Sequence, residues 1–241
     1  MIEKFQAIVL SCVRHSDRTS IVSVYTPTRG RMALSVSTGS GKRNLRQASL
    51  FMPLSQIEFS CRGSAASEIH RPAGVASLYT YKSLYFSPIK NAVGIFIAEF
   101  LTRLLREAAP DPLVFRYISE SLVALDSLVG HTANFHITFL AGLTTFMGVA
   151  PDLTSFTKAA LFDMRAGQYT HTHPGHSDIL IGDTARVPLM LERLNYANMH
   201  MLRLSRQNRS ALLKGLLHYW NLHFPGCGSL RSIDVLELLF D

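Results

Sequence analysis

Apolar and polar residues alternate over much of the first sixty positions, whereas beyond residue 85 apolar residues recur every third or fourth position, so strands are expected first and helices after them. Gln6 to Val13 is rich in Ile, Val and Leu, Thr19 to Thr26 alternates around Ile21, Val22, Val24 and Tyr25, and Gly30 to Val36 alternates again. Between the last two runs, Thr26-Pro27-Thr28-Arg29-Gly30 reads as a turn: Pro27 presets φ and Gly30 is free to take positive φ. Three such runs beside a short cationic loop suggest a small barrel.

The pattern changes near Tyr85, where Phe86-Ser87-Pro88 supplies an N-cap and a first-turn proline. A first helix is expected from about Pro88 to Ala108, with Val93, Ile97, Phe100, Leu101, Leu104 and Leu105 as its apolar stripe, stopped by Ala109-Pro110-Asp111-Pro112. A second runs from about Pro112 to Leu128 and a third from about Ala133 to Met147, ended by Gly130 and Gly148. Leu161 to Met164, Arg165-Ala166-Gly167 and Gln168 to Thr170 predict a β-hairpin inserted between helices. Helical period resumes from about Thr184 to Leu204, then from Ser205, an expected N-cap, to His223, and finally over Leu230 to Phe240. The fold class is therefore α+β, with a β domain over 1–82 and a helical domain over 83–241 that holds the hairpin insertion at 151–181.

The 241 residues are 47% hydrophobic, enough to fill a core, and the formal net charge is +7. That excess points to a polyanionic partner, whether nucleic acid, an acidic protein tail or an anionic membrane. The positions of the cations narrow the choice. From Arg14 to Arg46 the chain holds Arg14, Arg18, Arg29, Arg31, Lys42, Arg43 and Arg46 against Asp17 alone. They fall at strand ends and in the loop Gly39-Ser40-Gly41-Lys42-Arg43-Asn44-Leu45-Arg46, where side chains reach a phosphodiester backbone while staying solvated. A second group, Arg186, Arg193, Arg203, Arg206, Arg209, Lys214 and Arg231, is accompanied by Glu192 alone; Arg203, Arg206 and Arg209 are three apart and are expected to share a face, either solvated or set against an anion.

Cys12, Cys61 and Cys227 lie far apart without C-x-x-C spacing, which predicts neither a disulfide framework nor a cysteine zinc site and fits a reduced cytosolic compartment. No basic and apolar leader opens the chain, and the longest apolar stretch, Phe135 to Pro151, falls short of the roughly 20 residues of a membrane helix. The glycine-lysine loop is not a nucleotide-phosphate loop, because Val36 and Arg43 stand where that motif needs Gly and Ser or Thr. His171, His173 and His176, with Asp163 and Asp178, form the one metal-like cluster, a weak signal without H-E-x-x-H. No G-x-S-x-G elbow or other catalytic constellation is present, so an enzyme is not expected. Tyr79, Tyr81, Tyr85 and Phe86 are expected to pack a domain junction, with a base-stacking platform as the rival reading.

The order of features resembles the RecO family of bacterial DNA repair proteins over nearly the whole chain. The stretches that convey it are Gln6-Ala7-Ile8-Val9-Leu10, the turn from Tyr25-Thr26 to Gly30-Arg31, and the basic loop followed by Leu50-Phe51-Met52-Pro53-Leu54. Further along are Ala98-Glu99-Phe100-Leu101 to Leu105-Arg106-Glu107, Asn134-Phe135 to Met147-Gly148 followed by Pro151, and the closing Ser229 to Leu236. The resemblance implies an OB-fold on a helical domain and a non-enzymatic recombination mediator, cytoplasmic and nucleoid-associated. It also implies binding of single- and double-stranded DNA, strand annealing, recognition of the acidic Phe-ending tail of single-stranded DNA-binding protein, and action with RecR to load RecA. Members commonly have a four-cysteine zinc module after the third helix; Pro151 to Leu180 has no cysteine, so zinc is not expected here unless the histidines substitute. Ile233 also departs from the arginine some relatives have in the terminal helix. On this reading Arg14, Arg29, Arg31, Lys42, Arg43 and Arg46 grip DNA phosphates, and Arg203, Arg206 and Arg231 meet the tail beside an apolar pocket. An RNA-binding OB protein associated with translation and a metal-dependent hydrolase using the histidine cluster are the alternatives from other classes.

Overall fold

Alternation places the N-terminal side chains on two faces of a sheet. In the computed structural model, which describes residues 2–37, 48–62 and 69–239, β1 (Ile2–Ser16), β2 (Thr19–Thr26) and β3 (Gly30–Ser37) form an antiparallel meander. β4 (Gln56–Arg62) pairs with the other edge of β1, β6 (Ala73–Tyr79) pairs with β4, and β5 (Ile69–His70) lies parallel to β3, giving the order β5-β3-β2-β1-β4-β6. The two end strands are neighbours in the chain, separated only by Arg71 and Pro72. Three peptide units reach at most about 11 Å, roughly two strand spacings, so the ends of the sheet meet and it closes as an OB-type barrel. Pro72 has no N–H to give to a ladder, and pairing passes from β3 to β4 across it.

Phe5, Ala7, Val9, Val22, Val24, Met32, Leu34, Val36, Ile57 and Phe59 fill the barrel. Ile8, Leu10 and Tyr25, of opposite parity, are also buried, because α1 (Pro88–Leu104) and α2 (Pro112–Ser127) pack on the outside of β1 and β2. Thr102 Oγ1 donates to the Leu10 carbonyl at 3.3 Å, and Tyr25 OH donates to the Ala109 carbonyl at 3.3 Å. Burial on both faces explains why Ala7 to Leu10 is an unbroken apolar run. Gly30 takes φ +64°, as the turn requires, and a Cβ there would lie 3.1 Å from the Ala108 carbonyl.

The tyrosine run is structural. Tyr81 OH donates to the Leu54 carbonyl at 2.9 Å, Tyr85 OH to the Pro53 carbonyl at 3.0 Å, and Tyr79 OH to Asp126 Oδ2 at 3.3 Å, which leaves Phe86, 79% exposed, outside the cluster. Asp126, at the end of α2, also accepts from the backbone N–H groups of Lys82 (3.0 Å), Ser83 (2.8 Å) and Leu84 (2.8 Å). Burial alone would raise its pKa; those donors outweigh burial and hold the carboxyl below the usual aspartate range.

By contacts the chain divides into Met1–Ser127 and Leu128–Asp241, so α1 and α2 belong with the barrel although the composition changes at Tyr85. The second unit contains α3 (Phe135–Phe146), α4 (Val187–Glu192), α5 (Arg206–His223) and α6 (Ser232–Leu239). The inserted hairpin, β7 (Leu161–Asp163) and β8 (Gln168–Thr170), gains a third strand, β9 (Ile179–Leu180), against β7. Phe162, Met164, Tyr169, Ala185 and Tyr219 form its apolar core. The single helix expected over Thr184 to Leu204 is broken after α4. Asn195 Oδ1 accepts from Ala197 N (2.9 Å) and Asn198 N (3.1 Å), and Asn198 Nδ2 donates to the Arg193 carbonyl (2.8 Å), so asparagine side chains replace the helical ladder. The expected cap at Ser205 is present, its Oγ accepting from Asn208 N at 3.2 Å.

Candidate nucleic-acid interface

The described cations of the barrel separate into two groups. Arg14 pairs across the sheet with Ser20 and Arg31 with Tyr25, so five residues of strand, about 17 Å, lie between them along the barrel. Arg14 and Arg18 sit at the tip of the β1–β2 hairpin, where residues 12–18 are all exposed and Val13 is 62% accessible. Arg14 donates to Asp17 Oδ1 at 3.1 Å, but both side chains are solvated, and such a pair gives way readily to a phosphate. This hairpin is one of the loops with which OB barrels contact oligonucleotides.

Arg29 and Arg31 are engaged within the fold. Arg29 Nη2 meets Glu3 Oε2 at 2.7 Å and its guanidinium lies 5.3 Å from the centre of the Phe5 ring. Arg31 Nε donates to Ser23 Oγ at 2.8 Å and Nη1 to the Thr102 carbonyl at 3.4 Å; partial burial, then the nearby Arg106 charge, lowers its pKa. Lys42, Arg43 and Arg46 lie outside the described residues.

In the second unit, Arg203, Arg206 and Arg209 do not share a face. The helix starts after Ser205, which leaves Arg203 on the preceding extended segment, and Arg209 turns inward to Asn134 Oδ1 at 3.1 Å and the Leu204 carbonyl at 3.1 Å. Arg203 borders a cavity of about 420 Å³ with His131, Asn134, His200 and Arg209, Arg206 borders a smaller one with His136 and Glu237, and Arg231 is exposed just before α6. A larger apolar cleft, about 570 Å³, runs between α3, α4 and α5 over Ala141, Thr145, Leu191, Leu204, Ala211 and Gly215. Leu204 lines both this cleft and the cavity of Arg203. The spacing of Ala211 and Gly215, one turn apart, was the signal of the cleft available in the sequence.

The histidine cluster is dispersed. Among the described residues no three His, Cys, Asp or Glu side chains are placed to hold a metal. Asp163 Oδ1 accepts from the backbone of Arg165 (2.9 Å) and Ala166 (3.1 Å) and lies 3.4 Å from His176 Nε2, while Asp178 is taken by Arg165 (2.6 Å) and His218 (2.7 Å). His171 is exposed and His173 Nδ1 accepts from Gly175 N at 3.0 Å. Cys12 is exposed and Cys61 and Cys227 are buried, all as free thiols, and no helix among the described residues is long and apolar enough to cross a membrane.

A basic OB-type barrel followed by a helical unit with a small sheet is the class defined by this fold. Comparison with known proteins makes the assignment specific. The family models described as "Recombination protein O N terminal" and "Recombination protein O C terminal" match residues 1–76 and 86–228. The chain is 34% identical to the DNA repair protein RecO of Bacteroides fragilis and 33% to that of Phocaeicola vulgatus, each over 100% of both chains. It is 29% identical to the RecO of Porphyromonas gingivalis, again over 100% of both. The chain belongs to the RecO family, and that membership supports a role in DNA repair and recombination.

Proposed function

We propose that this chain is a non-catalytic recombination mediator that binds single- and double-stranded DNA and anneals complementary strands. It recognises the acidic tail of single-stranded DNA-binding protein and with RecR helps to load RecA at the nucleoid. The observation that supports this most is the exposed Arg14–Arg18 hairpin of the barrel, in a chain that matches RecO proteins from end to end. Lys42, Arg43 and Arg46 extend that phosphate-gripping set, with Arg29 and Arg31 contributing only if they leave Glu3 and Ser23. The barrel domain, 1–82, holds the DNA, and the helical domain, 83–241, holds the tail.

For the tail, the apolar cleft suits a terminal phenylalanine, and Arg203, Arg206 and Arg231 supply positive charge for its acids. The test is annealing of complementary oligonucleotides coated with the cognate single-stranded DNA-binding protein, with its tail present or removed. Annealing that needs the tail supports both halves of the reading; no annealing at low salt rejects the mediator role, and tighter binding of structured RNA than of single-stranded DNA then favours the RNA-binding class.

A further inference from the structure

The cavity bordered by His131, Asn134, His200, Arg203 and Arg209 has no carboxylate in its lining. Its arginine is positioned by neutral groups. Arg209 donates to Asn134 Oδ1 and to the Leu204 carbonyl, and Asn134 Nδ2 is itself held by the carbonyls of Met199 (3.0 Å) and Leu202 (2.7 Å), so these contacts orient the guanidinium without cancelling its charge. The local excess of positive charge is visible in its neighbours. Burial lowers the Arg209 pKa, and burial together with the Arg209 charge pushes the buried imidazole of His136 down to about 3. Glu237, which lines the adjoining cavity with Arg206 and Arg209, is already engaged by Ser210 Oγ and by Lys214 at 2.9 Å.

We propose that this cavity is a phosphomonoester site that takes the terminal phosphate of a DNA strand. The rings of His131 and His200, 5.7 Å apart, stand with Arg203 and Arg209 around a space of about 420 Å³. Four nitrogen-bearing side chains suit a group with three oxygens and a charge of about −1.5 to −2 better than a carboxylate, which offers two oxygens and a single charge. The 18-residue helix α5 begins at the rim, and its N-terminal dipole adds to the attraction. An internal phosphodiester, singly charged and substituted on both sides, fills the cavity less well. The inference rests on the DNA-binding reading, and Arg203 is shared with the tail site proposed above, so His131 and His200 provide the separate test.

The full chain is titrated into oligonucleotides of one sequence ending in 5′-phosphate, 3′-phosphate or hydroxyls only, at fixed ionic strength. One phosphorylated end is expected to bind at least about threefold more tightly. That preference is expected to vanish in the double variant His131→Ala, His200→Ala, whose side chains are exposed and whose loss should leave the fold intact. Equal affinity for all three ends overturns the site and leaves the DNA-binding reading standing. If no oligonucleotide binds, that reading fails instead, and phosphorus NMR of inorganic phosphate decides the site. Broadening lost in the double variant supports it, and no broadening with the unaltered chain overturns it.

Discussion

Lys90 Nζ donates to the backbone carbonyl of Asp126 at 2.7 Å, and both residues are buried, so the first turn of α1 is tied to the last residues of α2. The same aspartate, through its carboxylate, holds the backbone of residues 82–84. One buried charge pair thus fixes the passage from the barrel into its two covering helices. Replacing Asp126 by Ala orphans three backbone donors and leaves a buried ammonium, at an expected cost of about 2–4 kcal/mol. The folded-state pKa of Asp126 is lowered, so its contribution is present above the ordinary aspartate pKa and is lost as pH falls through the folded value. Urea unfolding of Asp126→Ala should therefore differ widely from the parent at pH 7, and the gap should narrow in acid.

The two cationic groups of the barrel should behave differently on DNA. Arg14→Ala with Arg18→Ala is expected to reduce the salt slope of single-strand binding by about 1 to 1.5, because each solvated arginine contributes about 0.7 per phosphate. Arg31→Ala, whose guanidinium is bonded to Ser23 and Thr102, should change that slope by less than about 0.3. Titrations at several salt concentrations measure both.

The apolar cleft can be filled without disturbing its walls. A Cβ added at Gly215 meets nothing within 4 Å, and Gly215 lies inside α5, where leucine is the better helix former. Gly215→Leu should weaken an acidic Phe-ending peptide at least about tenfold with no loss of melting temperature. Unchanged peptide affinity would place the tail elsewhere.

Gly30 lies at φ +64° with its α-hydrogen side against the Ala108 carbonyl. Gly30→Ala combines a left-handed backbone with a contact of 3.1 Å, and is expected to lower stability by about 1–3 kcal/mol, measured by chemical denaturation.

Asp178, joined by His218 and Arg165, has a pKa below the ordinary value, the His218 contact contributing most. Its stabilising effect is therefore present above that ordinary value and lost as pH falls through the lowered one. Asp178→Asn should lower the melting temperature at neutral pH and flatten its decline in acid, as thermal melts from pH 7 to pH 3 would show.

Local chemistry made much of this molecule legible. The alternation around Val22 and Val24, the glycine turn at Gly30 and the cap at Ser205 depend on residues within a few positions of one another, and each is found where the pattern put it. The helix expected over Thr184 to Leu204 failed because Asn195 and Asn198 compete for backbone groups in a way that apolar period does not register. The arginines were harder to read: spacing shows that a cation is present, but not whether a carboxylate from another strand has already met it.

The sequence alone determined the α+β order, the barrel strands, the positive charge and the RecO likeness, since periodicity, composition and motif order are properties of the chain itself. Only the tertiary structure decided that the sheet closes across Arg71 and Pro72, that Arg29 meets Glu3 while Arg14 remains at an exposed tip, and that Arg209 turns inward beside two histidines. Those outcomes depend on strand register and on packing between residues far apart in the chain, where a shift of one position would exchange a buried partner for solvent.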